Sequence, residues 1–472
     1  MVGNIFKKIK AAKEGHSFRE TAEYAFSVML AKALSAFALS LISVLKIKYK
    51  KPARSKGAER RLGLVIPVMP DLSHHFIYRE VFQLLEQFDL KLFVIFQGDK
   101  VYETPITETL SKSASYYPHV SRGRAVFYFS FIKRFFRSPL KVCNLLLFYR
   151  DYLIEGKSKF ITFGAVRDYC HPLFGFVLAD MMEGQDVSHI HAYCSNISTN
   201  HAIVAAHLLD KSLSFTGYVD FDFEYSFKML KEKVALGDFM VVHTEFCKKR
   251  MVSYVGEEFE DKINVVRIGL DFDSIKRDAS ESFDKSLRLL AICGLVEKKG
   301  LKYLIDACSR IREEVPDFRL YIIGDGPLKE SLVKQTRLLK LEDRIIFVGG
   351  LPNERVFEYL TEESILVMPS VYTKSRERDG IPTVIIEAMA KGVNVISTNV
   401  SGIPEVLINE MNGLMVEPED SKALADAILR LYKDKQLFNA LRENGRPKVM
   451  EMFDVRKNAD NLAQLLDFSL KT

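Results

Sequence analysis

Two carboxylates, Asp379 and Glu387, stand eight positions apart in the stretch RDGIPTVIIEAMAKG, Arg378 to Gly392. A Gly-Ile-Pro turn separates them, and an apolar run of helical spacing follows. Pro382 suits the first position of a helix, where its missing N–H costs nothing, and Gly392 is the expected C-terminal stop. The free N–H groups of Gly380, Ile381, Thr383 and Val384 then crowd a helix start beside the positive end of its dipole, which fits a phosphate. Asp379 precedes that site and would repel a phosphate, so it suits the hydroxyls of a group attached to one. Glu387 falls about a turn and a half into the helix, among Val384, Ile385, Ile386, Ala388 and Met389. A buried carboxylate needs a partner, and a ribose diol would serve. Two plainer readings stand beside these: Asp379 as an acid that stabilises the helix dipole, and Glu387 as half of a structural ion pair.

A site of this kind requires a strand that ends where the helix begins. From Arg61 onward, short apolar runs alternate with longer helical stretches: RLGLVIPVM, FIYREVFQLLEQF, LKLFVIF, then SHIHAYC, TNHAIVAAHLLDK and LSFTGY. The alternation restarts more regularly at LRLLAICGL and runs through FRLYIIG, RIIFVGG, SILVMPS, PTVIIEAMAK and VNVIST. Such a pattern predicts α/β architecture, two doubly wound parallel sheets covered by helices. The polar stretch Asp271 to Ser286 reads as their linker. The expected division is a basic amphipathic, helical N-terminal extension (1–60), two α/β domains (61–275 and 286–448) and a C-terminal helix (449–472). Ligands in open parallel sheets sit beyond the carboxyl ends of the strands, which is where the two acids fall.

The whole chain agrees with a folded two-domain protein: 472 residues, 48% apolar and 27% charged. Its net charge of +6 is concentrated, with Lys46, Lys48, Lys50, Lys51, Arg54, Lys56, Arg60 and Arg61 close together. The apolar run ALSAFALSLISVL before them is shorter than the roughly 20 residues a bilayer span needs. It reads either as a helix packed on the protein or as one lying in a membrane surface with the basic run against anionic lipid. FYFSFIKRFFR, Phe127 to Arg137, offers the same pair of readings. No nucleic-acid motif accompanies these charges, and no small-residue cleavage pattern marks a secretory leader. The six cysteines show no C-x-x-C pair or metal-ligand spacing, which points to a reducing compartment. His189 and His191 alternate on a strand without further ligands and read as hydrogen-bonded strand residues. GDGP lacks the full dinucleotide spacing, and neither a nucleophile elbow nor a P-loop occurs.

Several blocks together resemble the retaining glycosyltransferases of family 4, which have the GT-B fold and a Glu-x7-Glu motif followed by Ala-x-Ala/Gly. They are EKKG (Glu297 to Gly300), IIGDGPLKESL (Ile322 to Leu332), GIPTVIIEAMAKG, SGIPEVL (Ser401 to Leu407) and NGLMVEPED (Asn412 to Asp420). The likeness is greatest to the branch that builds colanic acid, other exopolysaccharides and lipopolysaccharide. It implies an acceptor-side domain at 61–275, a nucleotide-sugar-binding domain at 286–448, and a final helix crossing back to the first. By resemblance, Asp379 contacts donor-sugar hydroxyls and Glu387 the ribose, within a donor-binding set of Gly294, Gly350, Gly380, Ile381, Pro382, Thr383 and Val384. Asp379 is one methylene shorter than the usual Glu. Lys299 matches the lysine of the basic pair that grips the diphosphate, but Gly294 stands where the family has arginine.

The first domain departs from the pattern as well. FTGYVDFDFEY carries Thr216, Tyr218 and Asp220, with Tyr218 in place of a His near the donor sugar, and tyrosine does not change protonation near neutrality. HTEF brings Glu245, and LSHHFIYRE, with Ser73, resembles the acceptor loop. The implied reaction is transfer of a hexose from a UDP- or GDP-sugar to a polysaccharide or lipid-linked glycan, with retention. No metal or other cofactor is implied. The expected place is the cytoplasm, peripheral on the inner membrane face. A competing reading, motivated by Gly294 and Tyr218, is a catalytically weakened nucleotide-sugar-binding partner in a polysaccharide assembly complex. A nucleotide-sugar epimerase of the same fold is the third.

Overall fold

The computed structural model describes residues 61–71, 74–99, 103–118, 120–154, 174–218, 229–275, 287–373 and 380–471. The N-terminal extension (1–60), the linker stretch 276–286, and Ser73, Asp220 and Asp379 lie outside the described residues.

In the first domain Arg61–Met69 (β1), Asp89–Gln97 (β2), Ala114–Tyr116 (β3), His189–Tyr193 (β4), Ser212–Thr216 (β5), Met240–Val242 (β6) and Ile263–Val265 (β7) pair in parallel. Their order is β3-β2-β1-β4-β5-β6-β7. In the second, Arg288–Ile292 (β8), Arg319–Ile323 (β9), Ile345–Gly349 (β10), Ser364–Met368 (β11), Asn394–Thr398 (β12) and Leu414–Val416 (β13) are ordered β10-β9-β8-β11-β12-β13. Each sheet winds outward from its first strand and then reverses, so a crevice opens between β1 and β4 and another between β8 and β11. The near-continuous apolar strands follow from burial of both faces. Leu62, Leu64 and Ile66 enter one core of the first sheet, while Val65 enters the other.

Helices Leu301–Ile311 and Thr383–Lys391 cover opposite faces of the second sheet. The first buries Leu301, Leu304, Ile305, Cys308 and Ile311 at helical spacing. The second is buried from Val384 through Lys391, between the sheet and helix Lys435–Phe453. The structure puts Pro382 at the cap and Thr383 first in the helix, one position later than the sequence reading; Gly392 ends it in the left-handed conformation.

The chain crosses between the domains near Gly269 and again near Asp454, and the crossings are tied together. The Leu270 N–H donates to Phe453 C=O (2.7 Å), and the Val455 N–H to Leu270 C=O (3.1 Å). A Cβ at Gly269 would lie 2.5 Å from Val455 Cα, so only glycine allows this approach. Helix Val455–Lys471 then packs on helix His75–Leu84, adding Leu462, Ala463 and Leu466 to the first domain's core.

Helix Val120–Arg137 turns part of its basic-aromatic stretch inward, as the core-covering reading expects, and leaves part exposed. Phe127 and Phe131 point into the core, whereas Phe129 and Phe136 are 76% and 80% exposed. Its last three cations are engaged within the protein: Arg134 pairs with Asp180 (2.7 Å), and Lys133 and Arg137 with Glu183 (2.9 and 2.6 Å). Among the described residues no helix is long and apolar enough to cross a membrane.

Candidate active site

Between the two domains lies a cavity of about 600 Å³. Its second-domain walls come from the carboxyl ends of β8, β9 and β10 and from the start of helix Thr383–Lys391. Cys293, Gly294, Lys299, Gly324, Asp325 and Gly350 line it, opposite Pro382, Thr383, Val384 and Glu387. The first domain contributes His75, Phe76 and Arg79, and the crossing segment Ile268–Leu270 closes one side.

The helix start leaves backbone donors open beside the cavity. No side chain caps it, and its first turn carries no acid. The first backbone bond is made by the Ile385 N–H to Pro382 C=O (3.0 Å). The N–H groups of Thr383 and Val384 come before that bond, at the dipole's positive end. Glu387, 6% exposed, reaches the same cavity from within the helix.

Lys299 owes its place to a short 3-10 turn, Glu297–Lys299, closed by the Lys299 N–H to Val296 C=O (3.1 Å) and the Gly300 N–H to Glu297 C=O (3.0 Å). The Val371 N–H bonds Lys298 C=O (2.9 Å), fastening that turn to the segment after β11. Gly300 (φ +63) fits because a Cβ there would come 1.9 Å from Pro369 O. Asp325 accepts from the Gly326 N–H (2.8 Å) and from Lys329 (3.3 Å). Those two donors hold its carboxyl below the ordinary carboxylate range.

Lys299, Gly294, Gly350, Pro382, Thr383, Val384 and Glu387 therefore share one cavity, and Gly380 and Ile381 lead directly into it. Three first-domain residues are not among those that line the cavity. The Thr216 hydroxyl is buried and bonded to His191 Nε2 (3.0 Å). Tyr218 packs between Phe76 and His243 (centroids 5.5 and 5.1 Å). Glu245 is exposed, and its backbone N–H is held across the domain boundary by Glu405 (3.1 Å). Glu405 also accepts the Phe246 N–H (2.8 Å) and pairs with Arg267 (2.7 Å), clasping the two domains. His189 bonds Ser212 and Ser214 (2.7 Å each), and His191 bonds Ser214 (2.7 Å) as well as Thr216, so both rings are satisfied along the sheet. Burial pushes His191 down to about 3.

The sequence reading passed over His75, Phe76, Arg79 and the Glu405 clasp. The first three lie inside the quoted LSHHFIYRE block, but only the helix's packing shows which of its residues face the cavity. Glu405 lies in the quoted SGIPEVL block, and its partners are 138 to 160 positions away.

Residues 273–448 match the family model described as Glycosyl transferases group 1. The amylovoran biosynthesis glycosyltransferase AmsK of Erwinia amylovora is 33% identical over 207 residues, 44% of this chain and 51% of that protein. The putative colanic acid biosynthesis glycosyltransferase WcaL of Escherichia coli is 31% identical over 207 residues, with the same shares. The chain thus spans about half the length of the curated relatives it matches. Among solved structures, Anabaena Alr3699/HepE in complex with UDP aligns with a TM-score of 0.62 at 16% identity, covering 87% of this chain and 100% of that one. Sucrose-phosphate synthase from Thermosynechococcus elongatus aligns at 0.61 and 17% identity, covering 87% and 98%. Those likenesses speak to the fold. Residues 273–448 are accordingly a group 1 glycosyl transferase domain, and the two facing Rossmann-like sheets make a GT-B fold.

Proposed function

We propose that the protein is a retaining glycosyltransferase of cell-surface glycan synthesis, moving a hexose from a UDP- or GDP-sugar to a polysaccharide or lipid-linked glycan. The observation that carries this reading is the uncapped start of helix Thr383–Lys391, open to the interdomain cavity that also holds Lys299 and Glu387. HepE, of the same fold, was solved with UDP and with UDP-glucose.

In this reading the diphosphate rests on the N–H groups at Thr383 and Val384 beside Lys299, and Glu387 accepts hydrogen bonds from the ribose. Asp379, just before the helix, takes the sugar hydroxyls. The acceptor oxygen bonds the anomeric carbon on the face from which the diphosphate oxygen departs, and the departing oxygen takes the acceptor's proton. Glycoside and nucleoside diphosphate are the products, with no protein nucleophile. The protein's part is positioning and charge stabilisation, and the countercharge comes from Lys299 and the helix rather than from a metal. We also read the exposed row Phe129, Ile132, Phe136 and Leu140 as a peripheral contact with the inner membrane face, driven more by apolar insertion than by charge.

The test is release of nucleoside diphosphate from a panel of UDP- and GDP-sugars, with cell membranes as acceptor. One donor should turn over, undiminished by a chelator and with the product keeping the donor's anomeric configuration. Lys299→Ala should lower the rate by about two to three decades. Silence with every donor refutes the reading.

A further inference from the structure

Among the described residues that line the cavity, Lys299 is the second domain's cation, and Gly294 stands where the resemblance implies an arginine. The wall there is open, since a Cβ at Gly294 would meet only Asp325 O, at 3.9 Å. Across the cavity stands helix His75–Leu84. Its inner face, Ile77, Tyr78, Val81 and Leu84, is buried, and the Tyr78 hydroxyl donates to Val68 C=O (2.8 Å). That packing leaves His75, Phe76 and Arg79, spaced for one helical face, on the cavity wall.

Arg79 is half-buried, yet its side chain makes no hydrogen bond or ion pair among the described residues. Two other half-buried arginines are paired, Arg267 with Glu405 (2.7 Å) and Arg442 with Glu362 (3.1 Å), while Arg288 lies over the Tyr321 and Tyr359 rings (5.0 and 5.5 Å). Two carboxylates share the cavity with Arg79, but Asp325 is engaged by Lys329 and the Gly326 N–H, and Glu387 sits within the opposite helix. A guanidinium poised in an interdomain cavity that also holds a lysine and an uncapped helix start suits a doubly charged diphosphate, whose oxygens it can grip with two parallel bonds.

We propose that Arg79 supplies the second cation to the donor's diphosphate, from the first domain, in place of the arginine that Gly294 replaces. This rests on the glycosyltransferase reading above. It makes diphosphate binding a bridge between the domains, so that the nucleotide itself favours the closed arrangement.

The test is calorimetric titration of wild type, Arg79→Ala, Arg79→Lys and the double variant Arg79→Ala/Gly294→Arg with UDP and GDP, without acceptor. Arg79→Ala should lose affinity about ten- to hundredfold for the nucleotide that binds, and Arg79→Lys should lose less. The double variant should recover affinity, because the open wall at Gly294 admits the new side chain. Equal affinity in wild type and Arg79→Ala overturns this proposal alone. So does an Arg79→Ala defect that the membrane-acceptor turnover assay shows only as a raised acceptor KM, which would assign the side chain to a phosphate of the acceptor. Binding of neither nucleotide by wild type overturns the function reading and this proposal together. Unliganded melting curves verify that each variant is folded.

Discussion

Gly300→Ala tests whether the Lys299 turn is held by backbone geometry. The new Cβ would meet Pro369 O at 1.9 Å and Pro369 C at 3.1 Å, and backbone atoms cannot rotate aside as a side-chain tip can. Ordinary contact begins at 3.4 Å, so the two segments must part. They are the same segments joined by the Val371 N–H to Lys298 C=O, so parting them also moves Lys299. The left-handed conformation itself costs alanine about 1–2 kcal/mol, and separating the segments brings the expected loss to roughly 2–4 kcal/mol. A displacement of about 1 Å at the lysine should lower turnover by about 100-fold in protein that remains folded. Urea unfolding followed by circular dichroism measures the first effect, since the chain has no tryptophan; donor turnover measures the second. Gly294→Ala, whose Cβ meets nothing closer than 3.9 Å, is the control that should change stability little. If Gly300→Ala unfolds at the wild-type midpoint and turns over normally, the geometric account of Lys299 is wrong.

Glu80 should make stability depend on pH. Burial raises its carboxyl from 4.5 to about 7, only partly opposed by the hydroxyl of Tyr193 (2.8 Å). The folded chain therefore keeps a proton that the unfolded chain releases, so this stabilisation is complete below pH 4.5 and lost as pH rises to about 7. Glu80→Gln should gain up to about 3 kcal/mol above that range. His191 and His243, lowered by burial to about 3 and about 4, act in the opposite sense, losing stability as pH falls below 6.5. The informative quantity is thus the difference between wild type and Glu80→Gln, which should grow with pH; a constant difference refutes the assignment. Glu405→Ala removes the acceptor of two first-domain N–H groups and strands Arg267, so it should cost about 2–3 kcal/mol and enlarge the particle in X-ray scattering. Unchanged scattering would dismiss the clasp. Phe129→Glu with Phe136→Glu should leave folding within about 0.5 kcal/mol, because both rings are largely exposed, and should weaken sedimentation with anionic vesicles. Undiminished sedimentation would remove that helix from the membrane contact.

Local chemistry made the second domain legible before any coordinates. Strands β8 and β11 are apolar on both faces because helices cover the sheet twice, and the turn after β8 and the helix after β11 line the cavity. Pro382 and Gly392 bound the helix start to within one residue because their effects are confined to their own backbone. The first domain was harder to read. Thr216 lies in a stretch resembling a donor-sugar block, yet its hydroxyl is taken by His191 inside the sheet. Tyr218 sits in an aromatic cluster rather than on the cavity wall.

What the sequence determined by itself was periodic or local: two doubly wound sheets, a helix whose open end suits an anion, and an acid within that helix. The tertiary structure decided which groups meet across the domain boundary. Arg79 faces the cavity because helix His75–Leu84 is turned by the burial of its opposite side, and Glu405 reaches the Glu245 N–H because the paired crossings near Gly269 and Asp454 set one domain against the other. Neither contact has a period or a spacing along the chain. Each depends on how two separately folded cores dock, and that is fixed by packing between residues more than a hundred positions apart.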